Sequence, residues 1–200
     1  MQKIKICGIK SSKEARSIIN LNIDYLGVIF AQSKRKVSVD IACEISNLAH
    51  TNAKKCVGIF ADIDENEILQ ICKTVNLDIV QIYGEILPNL YEGLHAKNIE
   101  IWRVFNISNE FPNLNDKFYD MALFDSKGEK LGGNGTSFDW SILKDLKPYS
   151  FGLAGGIGLE NVCEAAKYKP RVIDINSKVE DENGIKNPQK ISQILEKLRF

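Results

Sequence analysis

The sequence lacks the features that mark exported, membrane-spanning and disulfide-bonded proteins. No apolar run approaches the roughly 20 residues that a transmembrane helix needs, and the N-terminal segment MQKIKICGIK contains no apolar signal core. The five cysteines are scattered and odd in number, with no CxxC pair, which argues against a disulfide framework or a thiolate zinc cluster. We therefore expect a cytoplasmic protein with no membrane partner.

An excess of charge of either sign is also missing. Lys plus Arg and Asp plus Glu each number 26, so the chain has no overall field that would attract nucleic acid. Its 44% hydrophobic and 26% charged content over 200 residues is ordinary for a globular domain. We expect residues 1–200 to form one domain, with a small charged molecule as the remaining kind of ligand.

Short apolar runs typical of strands alternate with stretches of helical periodicity. After the second run, for example, Ile41, Ile45 and Leu48 recur at helical spacing behind the candidate N-cap Ser38. The eight strand-like runs are KIKIC (3–7), YLGVIF (25–30), CVGIF (56–60), DIVQIY (78–83), IEIWRVF (99–105), MALFD (121–125), FGLAG (151–155) and VIDIN (172–176). Strands that alternate with helices are parallel, and eight strand-then-helix units favour a closed (β/α)8 TIM barrel over an open flavodoxin-like sheet.

Side-chain alternation predicts which strand residues reach the interior of such a barrel. The isoleucines of the first strand share the helix-facing side, so Lys5 and Cys7 point inward, with Cys7 at the mouth. The same alternation places Asp125 at the mouth and turns Gln81 and Asp174 inward. Because the eighth strand borders the first in a closed barrel, we expect Lys5 and Asp174 to form an ion pair, which we interpret as structural.

Glycine and small polar residues follow the last two predicted strands. Gly155 and Gly156 have no Cβ atoms, so an anion can approach backbone N–H groups closely, and Asn176, Ser177 and Lys178 follow the eighth strand. Phosphate sites of TIM barrels are frequently built from these two loops. We therefore predict a phosphate-binding site here, although glycines in such turns also serve chain reversal alone.

A glycine-rich segment, LGGNGTSFDW (131–140), follows the sixth predicted strand. Gly132, Gly133 and Gly135 predict a mobile loop, and Asp139 is placed to cap a short helix. The loop is interpreted either as a flexible connection or as a lid over bound substrate.

Several motifs, taken in their order, carry a family resemblance from about residue 3 to the C-terminus. They are KICGI (5–9), SKRKVS (33–38), VGIF (57–60), QIYGE (81–85), LFDSK (123–127), GGNGTSFDW (132–140), LAGGIGLENV (153–162) and DINSKVEDENGIK (174–186). In this combination the chain resembles phosphoribosylanthranilate isomerase of tryptophan biosynthesis.

The resemblance implies an Amadori rearrangement without a metal or an organic cofactor. An acid protonates the furanose oxygen of N-(5′-phosphoribosyl)anthranilate, the ring opens to a protonated imine, and a base removes the C2′ proton to give an enolamine. Tautomerisation then yields 1-(2-carboxyphenylamino)-1-deoxyribulose 5-phosphate. In the family the base is the cysteine of KICGI and the acid is the aspartate that ends strand six, which correspond to Cys7 and Asp125.

These roles make physical demands on both side chains. A thiol with a pKa near 8.5 needs positive charge nearby to act as a base, and Lys5 is the candidate. An aspartate with a pKa near 3.9 needs burial to hold a proton at neutral pH.

The resemblance also assigns residues to the two anionic ends of the substrate. Arg35 matches an arginine that contacts the anthranilate group, and its planar fork suits a carboxylate; without the match, SKRK would be a solvated basic loop. The other predicted substrate-binding residues are Gln81, Tyr83, Gly133 and Asp174. The predicted phosphate-binding residues are Gly155, Gly156, Asn176, Ser177 and Lys178. The expected assembly is a monomer or a homodimer.

The chain departs from the family pattern at three places. Tyr83 stands where the family usually has histidine, so a cationic imidazole is absent from that position. Asn176 and Lys178 replace a serine and a glycine, and Lys178 would be strained if that glycine needs a positive φ. The loop that carries Arg35 is also one residue short.

Other interpretations stay open at this point. Another sugar-phosphate barrel, such as indole-3-glycerol phosphate synthase or a pentose-phosphate epimerase, is the alternative enzyme, and a non-catalytic phosphate-binding barrel is the alternative of another class. His50 and His95 lie in helical segments away from strand ends, so we expect neither to be catalytic. The remaining cysteines are interpreted as core residues, namely Cys43, Cys56, Cys72 and Cys163.

Overall fold

The computed structural model describes residues 2–107, 110–114, 118–126 and 137–198, and its strands close into a parallel barrel. Neighbours in the barrel are neighbours in the chain, and β8 closes the sheet by pairing with β1. The strands are β1 Lys3–Ile6, β2 Tyr25–Ile29, β3 Lys55–Ala61, β4 Ile79–Tyr83, β5 Glu100–Ile107, β6 Met121–Ser126, β7 Phe151–Leu153 and β8 Val172–Ile175. The predicted TIM barrel is confirmed.

Helices cover the outside of most of the barrel. The α-helices are α1 Ser12–Ile18, α2 Val39–Thr51, α3 Glu65–Val75, α4 Pro88–His95, α5 Val162–Lys167 and α6 Pro188–Lys197, and two 3-10 helices span Trp140–Leu143 and Ser177–Val179. The expectation of a helix after every strand is wrong after β5, where residues 110–114 and 118–120 form none. Pro112 keeps the residue before it out of helical backbone. After β6 the expected helix shortens to the first of the two 3-10 helices.

Side-chain caps start several helices where the sequence places small polar residues. Ser38 accepts a hydrogen bond from the backbone N–H of Ile41, as predicted for the start of α2. Asp64 accepts from the two backbone amides at the start of α3, and Asn76 ends that helix in the left-handed conformation with φ of 56°. Ser38 ends the loop between β2 and α2, and that loop carries Gln32, Ser33 and Arg35 of the pocket described below.

Strand alternation separates two apolar layers. Ile6 and Ile173 belong to the layer between the sheet and the helices, whereas Tyr25, Trp102 and Leu123 belong to the layer inside the barrel. Tyr25 and Trp102 meet edge to face with ring centroids 5.2 Å apart. The interior is therefore filled by side chains, and it leaves space only towards the mouth.

Two further expectations concern single side chains and membrane spans. Cys56 and Cys72 are buried and Cys43 is half-buried, but Cys163 is exposed, so its assignment to the core is wrong. Helix α5 is short and turns Val162 and Ala165 inward, which leaves Cys163 on its outer side. Within the described ranges, no helix has both the length and the apolar character that a bilayer crossing requires.

Candidate active site

A pocket at the carboxyl ends of the strands collects most of the predicted site residues. Its lining includes Cys7, Arg35, Gln81, Tyr83, Asp125, Gly155, Gly156, Asp174, Asn176 and Ser177. These residues come from strands and loops spread over the whole chain, and barrel closure brings them together. Of the other two predicted residues, Gly133 lies outside the described residues, and Lys178 does not line the pocket.

Cys7 lies directly after β1 and is 5% exposed. A Cβ atom on Gly27 of β2 would lie 3.0 Å from Cys7 Cα and 3.1 Å from its Sγ, so glycine at this position leaves the space that the thiol occupies. Burial raises the pKa of Cys7 above that of an ordinary thiol, and the positive charge of Lys5 opposes the rise. The free protein therefore holds Cys7 mainly as a thiol at neutral pH.

Lys5 and Asp174 form the predicted ion pair inside the barrel. The fully buried Nζ of Lys5 donates to Asp174 Oδ2 at 2.6 Å and to Gln81 Oε1 at 2.7 Å. Burial lowers the pKa of Lys5, but Asp174 and Cys7 more than offset it, so the pKa lies above its ordinary value. Asp174 Oδ1 is buried and has no hydrogen-bond partner in the described part of the chain, which makes it an acceptor at the pocket wall.

Asp125 lies near the end of β6, lines the pocket and is 5% exposed. Tyr83 donates its hydroxyl hydrogen to Asp125 Oδ2 at 2.9 Å, and the backbone N–H of Ser126 donates to Oδ1 at 2.8 Å. Burial raises the pKa of Asp125 to about 6, although the hydrogen bond from Tyr83 lowers it. Burial first, and Asp125 second, raise the pKa of Tyr83 well above 10, so its hydroxyl stays a donor. Asp125 is thus a carboxyl group that can hold a proton near neutral pH.

The loop after β7 has a backbone conformation that favours glycine. Gly155 and Gly156 have φ values of +90° and +61°, and a Cβ atom on Gly155 would lie 2.7 Å from the backbone nitrogen of Ser126. Lys178 sits in the 3-10 helix after β8 and is not among the residues with positive φ, so the strain considered above does not arise. Its ammonium lies 3.0 Å from a carboxylate oxygen of Glu160. The structure therefore brings the two loops together, with Lys178 packed against Gly158 and its ammonium on Glu160 instead of in the pocket lining.

Arg35 is 5% exposed, so the interpretation of SKRK as a wholly solvated loop is wrong for this residue. Its Nε and Nη2 donate to the two carboxylate oxygens of Glu180 at 2.6 and 2.8 Å. Gly8 permits this placement, because a Cβ atom there would lie 2.6 Å from Arg35 Cδ, and its φ is +75°. The family motif KICGI therefore contains a glycine whose backbone makes room for the arginine.

Two charged residues at this site were not predicted from the sequence. Lys186 is fully buried at its side chain and donates from Nζ to Glu180 Oε1 at 2.8 Å and to Asn176 Oδ1 at 2.8 Å. Asn183 and Gly184, a dipeptide typical of tight turns, lie between Glu180 and Lys186, which form an antiparallel bridge. The sequence signal for the Glu180–Lys186 pair is two residues of opposite charge on either side of an Asn-Gly turn.

A closed (β/α)8 barrel with a buried carboxyl group and a thiol in the pocket at the carboxyl ends of its strands defines the chain as a TIM-barrel enzyme. The chain belongs to the N-(5′-phosphoribosyl)anthranilate (PRA) isomerase family, whose model matches residues 4–197. It is accordingly an isomerase of tryptophan biosynthesis, and family membership sets aside the other sugar-phosphate barrels considered from the sequence.

Individual relatives agree with this assignment along the whole chain. An N-(5′-phosphoribosyl)anthranilate isomerase of Campylobacter jejuni is 44% identical over 199 residues, which cover 100% of both chains. A crystal structure of the isomerase from Thermus thermophilus has a TM-score of 0.85 at 25% identity and covers 99% of this chain and 98% of that chain. A third relative was solved in complex with reduced 1-(o-carboxyphenylamino)-1-deoxyribulose 5-phosphate, with a TM-score of 0.79, 27% identity and coverage of 100% and 99%.

Proposed function

We propose that this chain converts N-(5′-phosphoribosyl)anthranilate to 1-(2-carboxyphenylamino)-1-deoxyribulose 5-phosphate, with Asp125 as general acid and Cys7 as general base. One observation supports these roles above the others: the thiol and a carboxyl group with a pKa near 6 line the same pocket. A general acid is most useful when its pKa lies near the working pH, and burial has moved Asp125 into that range.

The acid step opens the ribose ring. Asp125 donates its proton to the furanose oxygen as the bond from that oxygen to C1′ breaks, and the lone pair of the anilino nitrogen forms the C1′=N double bond. The Tyr83 hydroxyl, 2.9 Å from Asp125 Oδ2, stabilises the carboxylate that the transfer leaves behind. Tyr83 thus supports the acid as a neutral donor, in a place where the family usually has histidine.

The base step removes the C2′ proton. The Cys7 thiolate takes it, the electrons of the C2′–H bond form the C1′=C2′ double bond, and the imine electrons return to nitrogen. The ammonium of Lys5 lowers the pKa of Cys7 against the effect of burial and so stabilises the thiolate. Lys5 therefore has both roles that the sequence left open: it pairs with Asp174, and it favours the ionised thiol.

The protonation state that reacts and the state that predominates carry the same number of protons on Cys7 and Asp125, and they differ in which of the two side chains holds the proton. At neutral pH the free protein holds mainly the Cys7 thiol and the Asp125 carboxylate, whereas the reaction needs the thiolate and the carboxylic acid. Because the pKa of Asp125 lies near 6 and burial raises that of Cys7 above the ordinary thiol value, the reactive pair is the minor form at neutral pH. The fraction of molecules in this form is constant between the two pKa values.

Binding uses different groups of the pocket for the two anionic ends of the substrate. The phosphate lies against backbone N–H groups of Gly155, Gly156, Asn176 and Ser177, and the anthranilate carboxylate meets Arg35. The ligand of the solved relative, by its name, carries both a carboxyphenyl group and a 5-phosphate. Asp174 Oδ1, a buried acceptor without a partner in the described ranges, accepts a hydrogen bond from a sugar hydroxyl.

The decay of the fluorescence of phosphoribosylanthranilate, with the purified protein and a coupled product assay, tests this proposal. Cys7→Ala and Asp125→Asn are expected to lower kcat about 10²- to 10⁴-fold while circular dichroism stays unchanged. Matched controls are Cys163→Ala and Asp145→Asn, at exposed positions outside the pocket, and both are expected to keep full activity. A wild-type protein that binds phosphate without turnover would overturn the proposed activity.

A further inference from the structure

We propose that Glu180, together with Lys186, is a positioning residue that holds the Arg35 guanidinium with its free end towards the carboxylate of the substrate. This inference rests on the proposed function, because it requires Arg35 to bind that carboxylate.

The hydrogen-bond geometry divides the guanidinium into two sides. Glu180 accepts from Nε at 2.6 Å and from Nη2 at 2.8 Å, so it occupies the Nε–Nη2 edge of the guanidinium. A guanidinium has five N–H donors, so three remain, including the pair at the end of the group that suits a second carboxylate. The Glu180 contact therefore fixes the plane of Arg35, and within the described residues the end of the guanidinium has no partner and can bind an anion.

Burial makes this orientation rigid. Arg35 is 5% exposed and Glu180 is 9% exposed, so turning the arginine away would leave the buried Glu180 carboxylate with Lys186 alone and take the Nη2 hydrogen bond from its Oε2. The backbone of Gly8 also lies close beneath the arginine side chain, where a Cβ atom would lie 2.6 Å from Cδ. A long flexible side chain is thus held in one position before any substrate arrives, which reduces the entropy lost on binding.

Lys186 connects the same cluster to Asn176, one of the proposed phosphate-binding residues. Its Nζ, with a fully buried side chain, donates to Glu180 Oε1 at 2.8 Å, to the carbonyl oxygen of Asn176 at 3.0 Å and to Asn176 Oδ1 at 2.8 Å. An ammonium has three donors, and these contacts use all of them. One network therefore holds both Arg35 and Asn176, which lie close together: a Cβ atom on Gly8 would lie 2.6 Å from Arg35 Cδ and 2.9 Å from Asn176 Oδ1.

The buried charges of the cluster are balanced. The cations Arg35 and Lys186 are formally matched by the carboxylates of Glu180 and Glu14. Burial acts to raise the pKa of Glu180, but the hydrogen bonds from Arg35 and Lys186 outweigh it and bring the value to about 2, so the carboxylate stays ionised. The neighbouring buried carboxylate, Glu14, accepts backbone N–H groups of Lys10 and Lys186 at 2.6 and 2.7 Å. The cluster thus keeps its buried charges partnered, and the attraction for a carboxylate comes from the guanidinium donors that Glu180 does not use.

A substrate analogue without the carboxylate separates this role from a purely structural one. We expect Glu180→Gln to raise KM for phosphoribosylanthranilate about tenfold or more with less than a threefold change in kcat. KM for N-(5-phosphoribosyl)aniline, which lacks the carboxylate, is expected to stay within twofold of the wild-type value. Arg35→Ala with Glu180→Gln is expected to raise KM no further than Arg35→Ala alone.

The controls distinguish failure of this inference from failure of the proposed function. Glu160→Gln removes the exposed carboxylate that pairs with Lys178. It is expected to change KM for neither phosphoribosylanthranilate nor N-(5-phosphoribosyl)aniline. If Glu180→Gln does not fold, Glu180→Asp, which keeps the charge on a shorter stem, replaces it in every measurement. Equal loss on both substrates would overturn the positioning role, whereas a wild-type protein inactive on both would overturn the proposed function.

Discussion

Replacing Tyr83 by phenylalanine removes a buried hydroxyl that donates to Asp125 Oδ2 at 2.9 Å. A hydrogen bond to a charged group contributes about 1.5–3 kcal/mol, and one pKa unit corresponds to about 1.4 kcal/mol. Since the bond stabilises the ionised form, its loss raises the pKa of Asp125 from about 6 by about one unit or more.

This shift predicts a change in the pH dependence of kcat/KM. The reaction needs the acid form of Asp125 and the base form of Cys7, so kcat/KM is level between their two pKa values. Below the pKa of Asp125 that group is already fully protonated, while the thiolate continues to fall tenfold per pH unit. The low-pH limb therefore reports Asp125, and it should lie near pH 6 in the wild type and near pH 7 or above in Tyr83→Phe.

The assay measures kcat/KM from about pH 4.5 to about pH 10 at constant ionic strength, with circular dichroism at each pH to exclude unfolding. Tyr91→Phe is the matched control, because that ring packs on His95 in α4 and does not line the pocket. Tyr91→Phe should show the low-pH limb of kcat/KM at the same pH as the wild type. A limb at the same pH in Tyr83→Phe and the wild type would refute the reasoning.

Three further predictions address the space around the thiol, the acid limit of stability and the lysine outside the pocket. Gly27→Ala puts a methyl group 3.0 Å from Cys7 Cα, so kcat should fall at least tenfold while the protein stays folded; unchanged kcat, measured in the same assay, would show that the thiol tolerates displacement. Glu180 has a lowered pKa of about 2, so its stabilising effect is present above the ordinary carboxyl value of about 4.3 and is lost as pH falls towards 2. Glu180→Gln should therefore lower the free energy of unfolding at pH 7 and flatten its fall between pH 4.5 and 2 in urea titrations, and an equally steep fall would contradict this. Lys178→Ala should leave KM within twofold, because the ammonium pairs with Glu160; a large rise in KM would place that charge on the phosphate.

Much of the barrel could be predicted because strand alternation is a local property of the sequence. The alternation in KIKIC and VIDIN determined which side chains enter the barrel, and closure of the sheet then gave the Lys5–Asp174 pair, which the structure confirms. The same reasoning placed Asp125 at the mouth, where it lines the pocket. The lack of a helix in residues 110–114, the described segment after β5, has a local cause as well, since Pro112 disfavours helical backbone at the residue before it.

The charged cluster behind Arg35 could not be predicted in the same way. Arg35 and Glu180 are 145 positions apart, and no periodicity links side chains over that separation. The family resemblance indicated Arg35 and the anthranilate group that it binds, but it did not indicate Glu180, whose carboxylate holds the arginine in place. The contact of Tyr83 with Asp125 was missed for a related reason: it joins β4 to β6 at a position where the chain departs from its family.

The central proposal is that Cys7 removes the C2′ proton and Asp125 opens the ring. Its most direct test is turnover of phosphoribosylanthranilate carrying deuterium at C2′ of the ribose, compared with unlabelled substrate in the wild type, Cys7→Ala and Asp125→Asn. We predict a primary isotope effect in the wild type and a loss of about 10²- to 10⁴-fold in kcat in each folded variant. Cys7→Ala that turns over at the wild-type rate with the same isotope effect would contradict the account.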